Sequence, residues 1–145
     1  MTVAVSEEME DRMIEWVKLG FFGGIAHEFK TTQVDTNTAC KLLTTIGVYN
    51  GFKPSVVVKL LLKWKGRVAG YQIAREGSPC LYIHLPCWTG QREQADDINS
   101  EKIDKETQQM LRDAIIKDFQ SLGSATPDEL NTLDYSDNII RVWWD

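Results

Sequence analysis

The stretch KPSVVVKLLLKWKGRVAG, residues 53–70, constrains the fold more than any other part of this chain. Drawn out as a strand, it places every second residue from Val56 to Trp64 on one apolar face, because successive side chains of a strand alternate. The consecutive valines at positions 56–58 favour this form, since β-branched side chains lose χ1 freedom in a helix. Local propensity therefore leans towards a strand.

Wound as a helix, the same residues form an amphipathic element. Val57, Leu61 and Trp64 then face inward, while Lys59 and Lys63 lie one turn apart on the outside. Pro54 falls in the first turn, where its missing N–H costs no helical hydrogen bond. The residues of the stretch support both forms, so the choice depends on what surrounds them.

The stretch lies inside a block, residues 36–75, that contains seven bases and no acid. The whole chain has a net charge of -5, so the segments on both sides of this block are acidic. Two explanations fit such a division: acidic helices pack beside the block and neutralise it, or it meets an anionic partner such as nucleic acid. The seven bases are Lys41, Lys53, Lys59, Lys63, Lys65, Arg67 and Arg75.

Two helices are predicted before the stretch. The first covers Ser6–Leu19, with Ser6 as its cap and Gly20 as its end, and it turns Met9, Met13, Trp16 and Val17 to one face. The second covers Thr36–Ile46, because Asp35 can cap its start and Gly47 stands where a helix commonly stops.

Both helices and strands are predicted after the stretch. Two β-like runs, Val68–Arg75 and Cys80–Pro86, form a hairpin across EGSP. A long helix covers Ser100–Leu122, with an apolar stripe made of Ile103, Met110, Leu111, Ala114, Ile115 and Phe119. The capping box TPDE predicts a short helix through Leu133, and NIIRVWW predicts a terminal strand. The fold class is therefore α+β.

The bulk properties indicate one cytoplasmic domain over residues 1–145. The length suits a single core, and three cysteines cannot all pair, which favours a reduced compartment. The N-terminus becomes acidic by Glu7, where a signal peptide carries basic residues and then an apolar run. The most apolar early window, Ile14–Ala26, is too short to span a bilayer, so no membrane partner is expected.

The predicted elements follow the order helix, helix, turn, stretch and hairpin. This order resembles that of a winged helix-turn-helix domain over residues 6–86. Recognition helices of that family often have a serine at their start and apolar side chains that face the core, and PSVVVKLLLKWKGRV has both. LYIHL resembles the second strand of the wing. The residues that match the family pattern are Ser55, Val57, Leu61, Trp64, Gly66, Val68 and Gly77. The resemblance implies a unit of two or three helices plus a hairpin, followed in residues 100–145 by a C-terminal helix and strand.

The resemblance also implies DNA binding. Lys59 and Lys63 would lie on the groove-entering helix, and four further bases would contact phosphates at its ends and in the wing. Those four are Lys53, Lys65, Arg67 and Arg75. Base readout usually needs Arg, Asn or Gln, so phosphate-dominated binding is expected. A homodimer through Ser100–Leu122 would fit such a regulator.

The alternative is an α+β interaction protein of inhibitor, chaperone or immunity type. Residues 55–86 would then form part of a three- to four-stranded antiparallel meander flanked by helices, and the basic face would bind a protein or a small anionic ligand. Helical backbone at residues 55–65 favours the DNA-binding hypothesis, and extended backbone favours this one. Because the stretch lies between a capped helix and a hairpin, we predict that it is a helix.

No enzyme, cofactor or metal site is predicted. Cys80, His84 and Cys87, with Cys40 elsewhere, supply the residue types of a zinc site, but their spacing does not fit the common zinc knuckle. Adjacent His27 and Glu28 point in different directions on any regular element, and Cys40 lies beside an apolar helix face, so neither suggests catalysis.

Overall fold

A computed structural model describes residues 6–22, 28–49, 51–87, 103–133 and 136–145. Within these ranges four α-helices accompany one five-stranded antiparallel sheet, so the predicted α+β class is confirmed. The helices are α1 (Glu7–Phe22), α2 (Thr36–Ile46), α3 (Pro54–Lys63) and α4 (Lys105–Gln120), with a 3₁₀ turn at Gly123–Ala125. The strands are β1 (Phe29–Lys30), β2 (Gly70–Glu76), β3 (Ser78–His84), β4 (Glu129–Leu133) and β5 (Ser136–Trp143). Of the helices in the described ranges, none is both long and apolar enough to cross a bilayer.

The sheet has the order β1-β2-β3-β5-β4, so β3 is its central strand. Every residue of β3 is buried. Leu81 pairs with Ile73 of β2 on one side and with Val142 of β5 on the other. Because paired residues share a face, these side chains form one apolar row across the sheet.

The main core lies between this apolar face and the helices. Trp144, Tyr71, Phe52 and Phe119 are its largest fully buried side chains. The rings of Phe52 and Phe119 meet the Trp144 indole edge to face, with centroids 5.0 and 6.1 Å away. Side chains from the helices, the loop before α3 and the C-terminal segment therefore meet in one core.

The stretch at residues 54–63 is the helix α3, and its alternative as a strand is wrong. Pro54 occupies the first turn, and the extended backbone of Lys53 precedes it. Val57 and Leu61 point into the core, where burial outweighs the helix-opposing preference of the three valines. The first strand of the alternative meander is therefore absent.

Helix α2 has its predicted bounds, whereas α1 runs past its predicted end. The Asp35 carboxylate accepts the Thr38 N–H at 2.8 Å, and Gly47 follows the last turn with a φ of 76°. Gly20 does not stop α1, because one helical glycine costs only about 1 kcal/mol. The next residue, Phe21, packs edge to face on Phe29 and Tyr49, which favours continued helix.

The helix predicted from TPDE through Leu133 is also wrong, since residues 129–133 form β4. The predicted capping box is not formed: Thr126 follows the 3₁₀ turn, and the Glu129 carboxylate accepts from Arg141 at 2.7 Å. The Asp128 N–H donates to the Trp143 carbonyl. Pairing with β5 thus overrides the local capping signal. The terminal strand predicted from NIIRVWW is confirmed as part of β5.

The predicted hairpin exists with a tighter turn, and the predicted long helix is shorter. Gly77 alone separates β2 from β3, with a φ of 77° that favours glycine.

Helix α4 begins at Lys105, while residues 100–102 lie outside the described ranges. Leu111 and Ile115 are buried, but Met110 is exposed.

Candidate nucleic-acid interface

A basic surface extends along α3 and into the turn that follows it. Lys59 and Lys63 lie on the solvent-facing side of the helix, and Lys65 and Arg67 follow in the exposed turn. Gly66 between them has a φ of 84°, which lets the chain turn back towards β2. We call Lys59, Lys63, Lys65 and Arg67 the basic face.

Two residues of the basic face already have partners. The Lys63 Nζ lies 2.9 Å from Asp118 Oδ2 on α4, and the Lys65 Nζ donates to Asn37 Oδ1 at 3.1 Å. Lys63 is 56% exposed and Asp118 is 23% exposed, so water screens this ion pair from the lysine side. Lys65 is also exposed, and its partner is a neutral amide.

Trp64 anchors the end of the basic face. Its ring is buried, and the Arg67 guanidinium carbon lies 4.9 Å from the ring centroid. The Lys63 Nζ lies 5.1 Å from the same centroid. Cation–π contacts of this length hold two cations near one aromatic ring and leave their outward donors open to solvent.

Lys53 and Arg75, the other two predicted contacts, lie outside this surface. Lys53 precedes the start of α3, and its Nζ donates to Ser124 Oγ at 3.0 Å. Arg75 is at the far end of β2, about 16 Å along the strand from Gly70. Its side chain is 13% exposed, and it contacts Glu28 at 3.4 Å and the Phe21 ring. Four of the six predicted bases are therefore exposed on α3 and the turn that follows it.

Acidic residues neutralise part of the basic block, as one of the two explanations expected. Lys41 pairs with Glu10 of α1 at 2.9 Å, in addition to the Lys63 and Arg75 pairs. Among the described residues, Lys53, Lys59, Lys65 and Arg67 form no ion pair. The bases without an ion pair therefore lie on α3 and at its two ends.

A polar network that sequence reasoning missed occupies the opposite face of the sheet. The Tyr82 hydroxyl donates to Glu76, and Arg141 reaches Glu76 at 3.4 Å and Glu129 at 2.7 Å. Cys80 lies beside the same carboxylate. The alternation of polar residues along β3 indicates a second face, but only the strand register brings Tyr82 opposite Arg141. Arg141 thus bridges two carboxylates, and the contacts within the network stabilise this face of the sheet.

The polar network predicts a specific dependence of stability on pH. Burial raises the pKa of the Glu76 carboxyl, but hydrogen bonds from Tyr82 and Cys80 and the charge of Arg141 outweigh it and hold the pKa below its ordinary value. The stabilisation is fully present above the unfolded pKa of about 4.3 and is lost as pH falls through the folded pKa. In Tyr82→Phe we expect the Glu76 pKa to rise and this acid-side loss to shrink, measured by carboxyl NMR titration and urea unfolding across pH. An unchanged Glu76 pKa in the variant would contradict this.

Burial raises the pKa of two of the three cysteine thiols, which disfavours the nucleophilic thiolate. Burial, followed by the Glu76 carboxylate, raises the pKa of the Cys80 thiol, and burial also raises that of Cys40 despite the nearby Lys65 charge. No cluster of three His, Cys, Asp or Glu side chains suited to a metal occurs within those ranges. The hypothetical pair of His27 and Glu28 is half outside them, because residue 27 is not described.

Comparisons with protein-family models, with curated proteins and with solved structures found no match to this chain. The resemblance to winged helix-turn-helix domains therefore depends on the residues and the order of the elements.

Proposed function

We propose that this protein binds nucleic acid, most plainly duplex DNA, through the basic face. The observation that carries the proposal is that residues 54–63 form a helix with Lys59 and Lys63 outside, continued by Lys65 and Arg67. Four cations on one helix and its following turn suit a row of phosphates, whose neutralisation releases condensed counterions.

The order of the elements supports a winged-helix arrangement for this function. From α1 to β3 the chain runs helix, short strand, helix, helix and hairpin, and α2 packs against both α1 and α3. The proposed wing is the hairpin of β2 and β3. Near the tip of this hairpin, Arg75 pairs with Glu28. We therefore assign phosphate binding to the basic face and not to Arg75.

The exposed side chains of α3 indicate weak sequence preference. They are Ser55, Lys59, Leu62 and Lys63. None offers the paired donor and acceptor pattern of Asn or Gln, or the bidentate donors of Arg, that commonly distinguish bases. We therefore propose binding dominated by phosphate contacts, which position a protein on DNA without reading its sequence.

The proposed homodimer through α4 would use the outer surface of that helix. Leu111, Ile115 and Phe119 are buried in the core of their own chain. Met110 is the large apolar residue that α4 exposes within the described ranges. A dimer on this helix would therefore centre on Met110.

Fluorescence anisotropy with a labelled duplex of about two helical turns tests the proposed function. Four phosphate contacts predict that log K falls with log salt concentration with a slope of about −3 to −4. The absence of binding even at about 50 mM salt, or affinity that does not change with salt, would refute the proposal.

Asp118→Asn is expected to strengthen DNA binding about two- to fivefold at low salt. The substitution frees Lys63 and removes a negative charge beside the basic face, and like charge near a phosphate site is unfavourable. Asp113→Asn is the matched control, because Asp113 is on the same helix and contacts Arg112 of that helix. Equal gains in both variants would show that only net charge matters.

A further inference from the structure

Helix α3 exposes one large apolar side chain among the cations of the basic face. Leu62 is 51% exposed, whereas Val57 and Leu61 of the same helix are buried. Lys59 and Lys63 are exposed as well. Helical geometry places Leu62 about 60° around the axis from Lys59 and about 4.5 Å further along it. The solvent-facing side of α3 therefore combines positive charge with one apolar contact.

The neighbouring Lys63 side chain is turned away from Leu62. Its Nζ lies 2.9 Å from Asp118 Oδ2 of α4 and 5.1 Å from the centroid of the Trp64 ring. Trp64 is buried, and it follows Leu62 by two residues, or about 200° around the helix axis. The contacts of Lys63 thus draw its amine towards α4, and Leu62 remains accessible.

The chemistry of this side of α3 matches one group on the base edges of duplex DNA. In the major groove thymine presents a C5 methyl group beside its O4 acceptor, while cytosine presents an amino donor. A lysine amine donates to phosphate oxygens or to base acceptors, but an aliphatic side chain can only pack against an apolar group. Methylation of cytosine at C5 places the same apolar group at the same position. Leu62 is therefore suited to the C5 methyl group of a pyrimidine.

We propose that Leu62 contacts the C5 methyl group of thymine or 5-methylcytosine in the major groove. The inference rests on the proposed function, because it requires α3 to enter that groove while the basic face meets the flanking phosphates. It adds a preference among bases that needs no hydrogen bond to a binder dominated by phosphate contacts. Burial of one methyl-sized group changes an affinity about fourfold, which sets the expected size of the preference.

A second copy of this chain is a poor occupant of the same surface. Among the described residues, three of the four bases of the basic face form no ion pair, and the fourth, Lys63, pairs with Asp118. Two such surfaces would bring like charges together as Leu62 became buried, which is unfavourable. Duplex DNA avoids this repulsion, because its phosphates flank the groove in which the methyl groups lie.

Two pairs of duplexes, each about two helical turns long, test the proposal by fluorescence anisotropy. The first pair differs only by uracil in place of every thymine, and the second only by 5-methylcytosine in place of every cytosine. We expect the wild-type protein to bind the methyl-bearing member of a pair about fourfold more tightly. A preference in both pairs assigns the contact to the methyl group wherever it occurs, and a preference in one pair identifies the base that supplies it.

Three variants assign the preference to Leu62. Leu62→Ser should remove it, because serine is too short and too polar to cover a methyl group. Leu62→Met should retain it, because methionine has a similar volume and is apolar. Met110→Ser is the matched control and should leave it unchanged, because Met110 is an exposed apolar side chain on a different helix. Each variant is compared with itself on the two duplexes of a pair, so a change in stability or in overall affinity cancels.

Equal wild-type affinities within both pairs, or a preference that Leu62→Ser leaves intact, would overturn the proposal. If those equal affinities still fall steeply with salt, the proposed function stands and only the contact of Leu62 is lost. The absence of binding to every duplex at about 50 mM salt would overturn both. Sedimentation that shows a wild-type dimer, dissociated by Leu62→Ser, would make a second copy the occupant and would also overturn the contact.

Discussion

Replacing Lys59, Lys63, Lys65 and Arg67 together with alanine is expected to weaken duplex DNA binding at least about 100-fold at about 50 mM salt. The salt dependence of the remaining affinity should be nearly flat, because each phosphate contact contributes about −0.9 to the slope. The fold should be retained, since all four side chains are exposed. Anisotropy across a salt series measures the affinity, and circular dichroism confirms folding.

A second fourfold variant separates position from net charge. Changing Arg12, Lys18, Lys41 and Lys117 to alanine removes the same number of positive charges from outside the basic face. If the basic face holds the DNA, this control keeps most of the affinity and most of the salt slope. Equal loss in the two variants would show that binding follows overall charge and would remove the basis for a site on α3.

Trp144→Ala is expected to lower the free energy of unfolding by about 3–5 kcal/mol. The indole is fully buried, and its Nε1 donates to the Ala125 carbonyl at 2.9 Å. Its removal leaves a cavity between Phe52 and Phe119 and an unpaired carbonyl at the 3₁₀ turn. A domain with 5–15 kcal/mol of total stability would lose a large fraction of it, which urea unfolding measures directly.

Trp143→Ala is the matched control for this prediction. The neighbouring indole lies on the opposite face of the sheet, is partly exposed and donates to the Glu76 carbonyl at 2.8 Å. Its loss should cost about 1 kcal/mol, near the value of one partly exposed hydrogen bond. A larger destabilisation by Trp143→Ala than by Trp144→Ala would contradict the assignment of the core.

The sequence predicts an element best when its local signals agree. Helix α2 has a capping Asp35, a regular apolar spacing and a terminating Gly47, and its bounds follow from them. For α3 the valines opposed the helix, and only its neighbours along the chain favoured it. For residues 129–133 the capping box predicted a helix. These residues form a strand because they pair with β5, and a local pattern does not indicate that pairing.

The candidate sites were predictable to different extents. The four residues of the basic face are close in sequence, so their places on α3 and in the turn after it follow once α3 is a helix. The Lys63–Asp118 pair depends on how α4 lies against α3, which charge patterns do not encode. Periodicity located an apolar face on α1, but it did not give the width of the buried part, so Trp16 was misplaced.

The position of α2 between α1 and α3 gives the molecule an electric dipole. Acids of α1 lie on one side of α2, and the bases of α3 lie on the other. Near a polyanion this dipole would rotate the molecule before any contact forms, so that α3 faces the polyanion and α1 faces away from it. A molecule oriented in this way would meet the nucleic acid with the basic face first, so the charge separation would raise the rate of association without adding a contact.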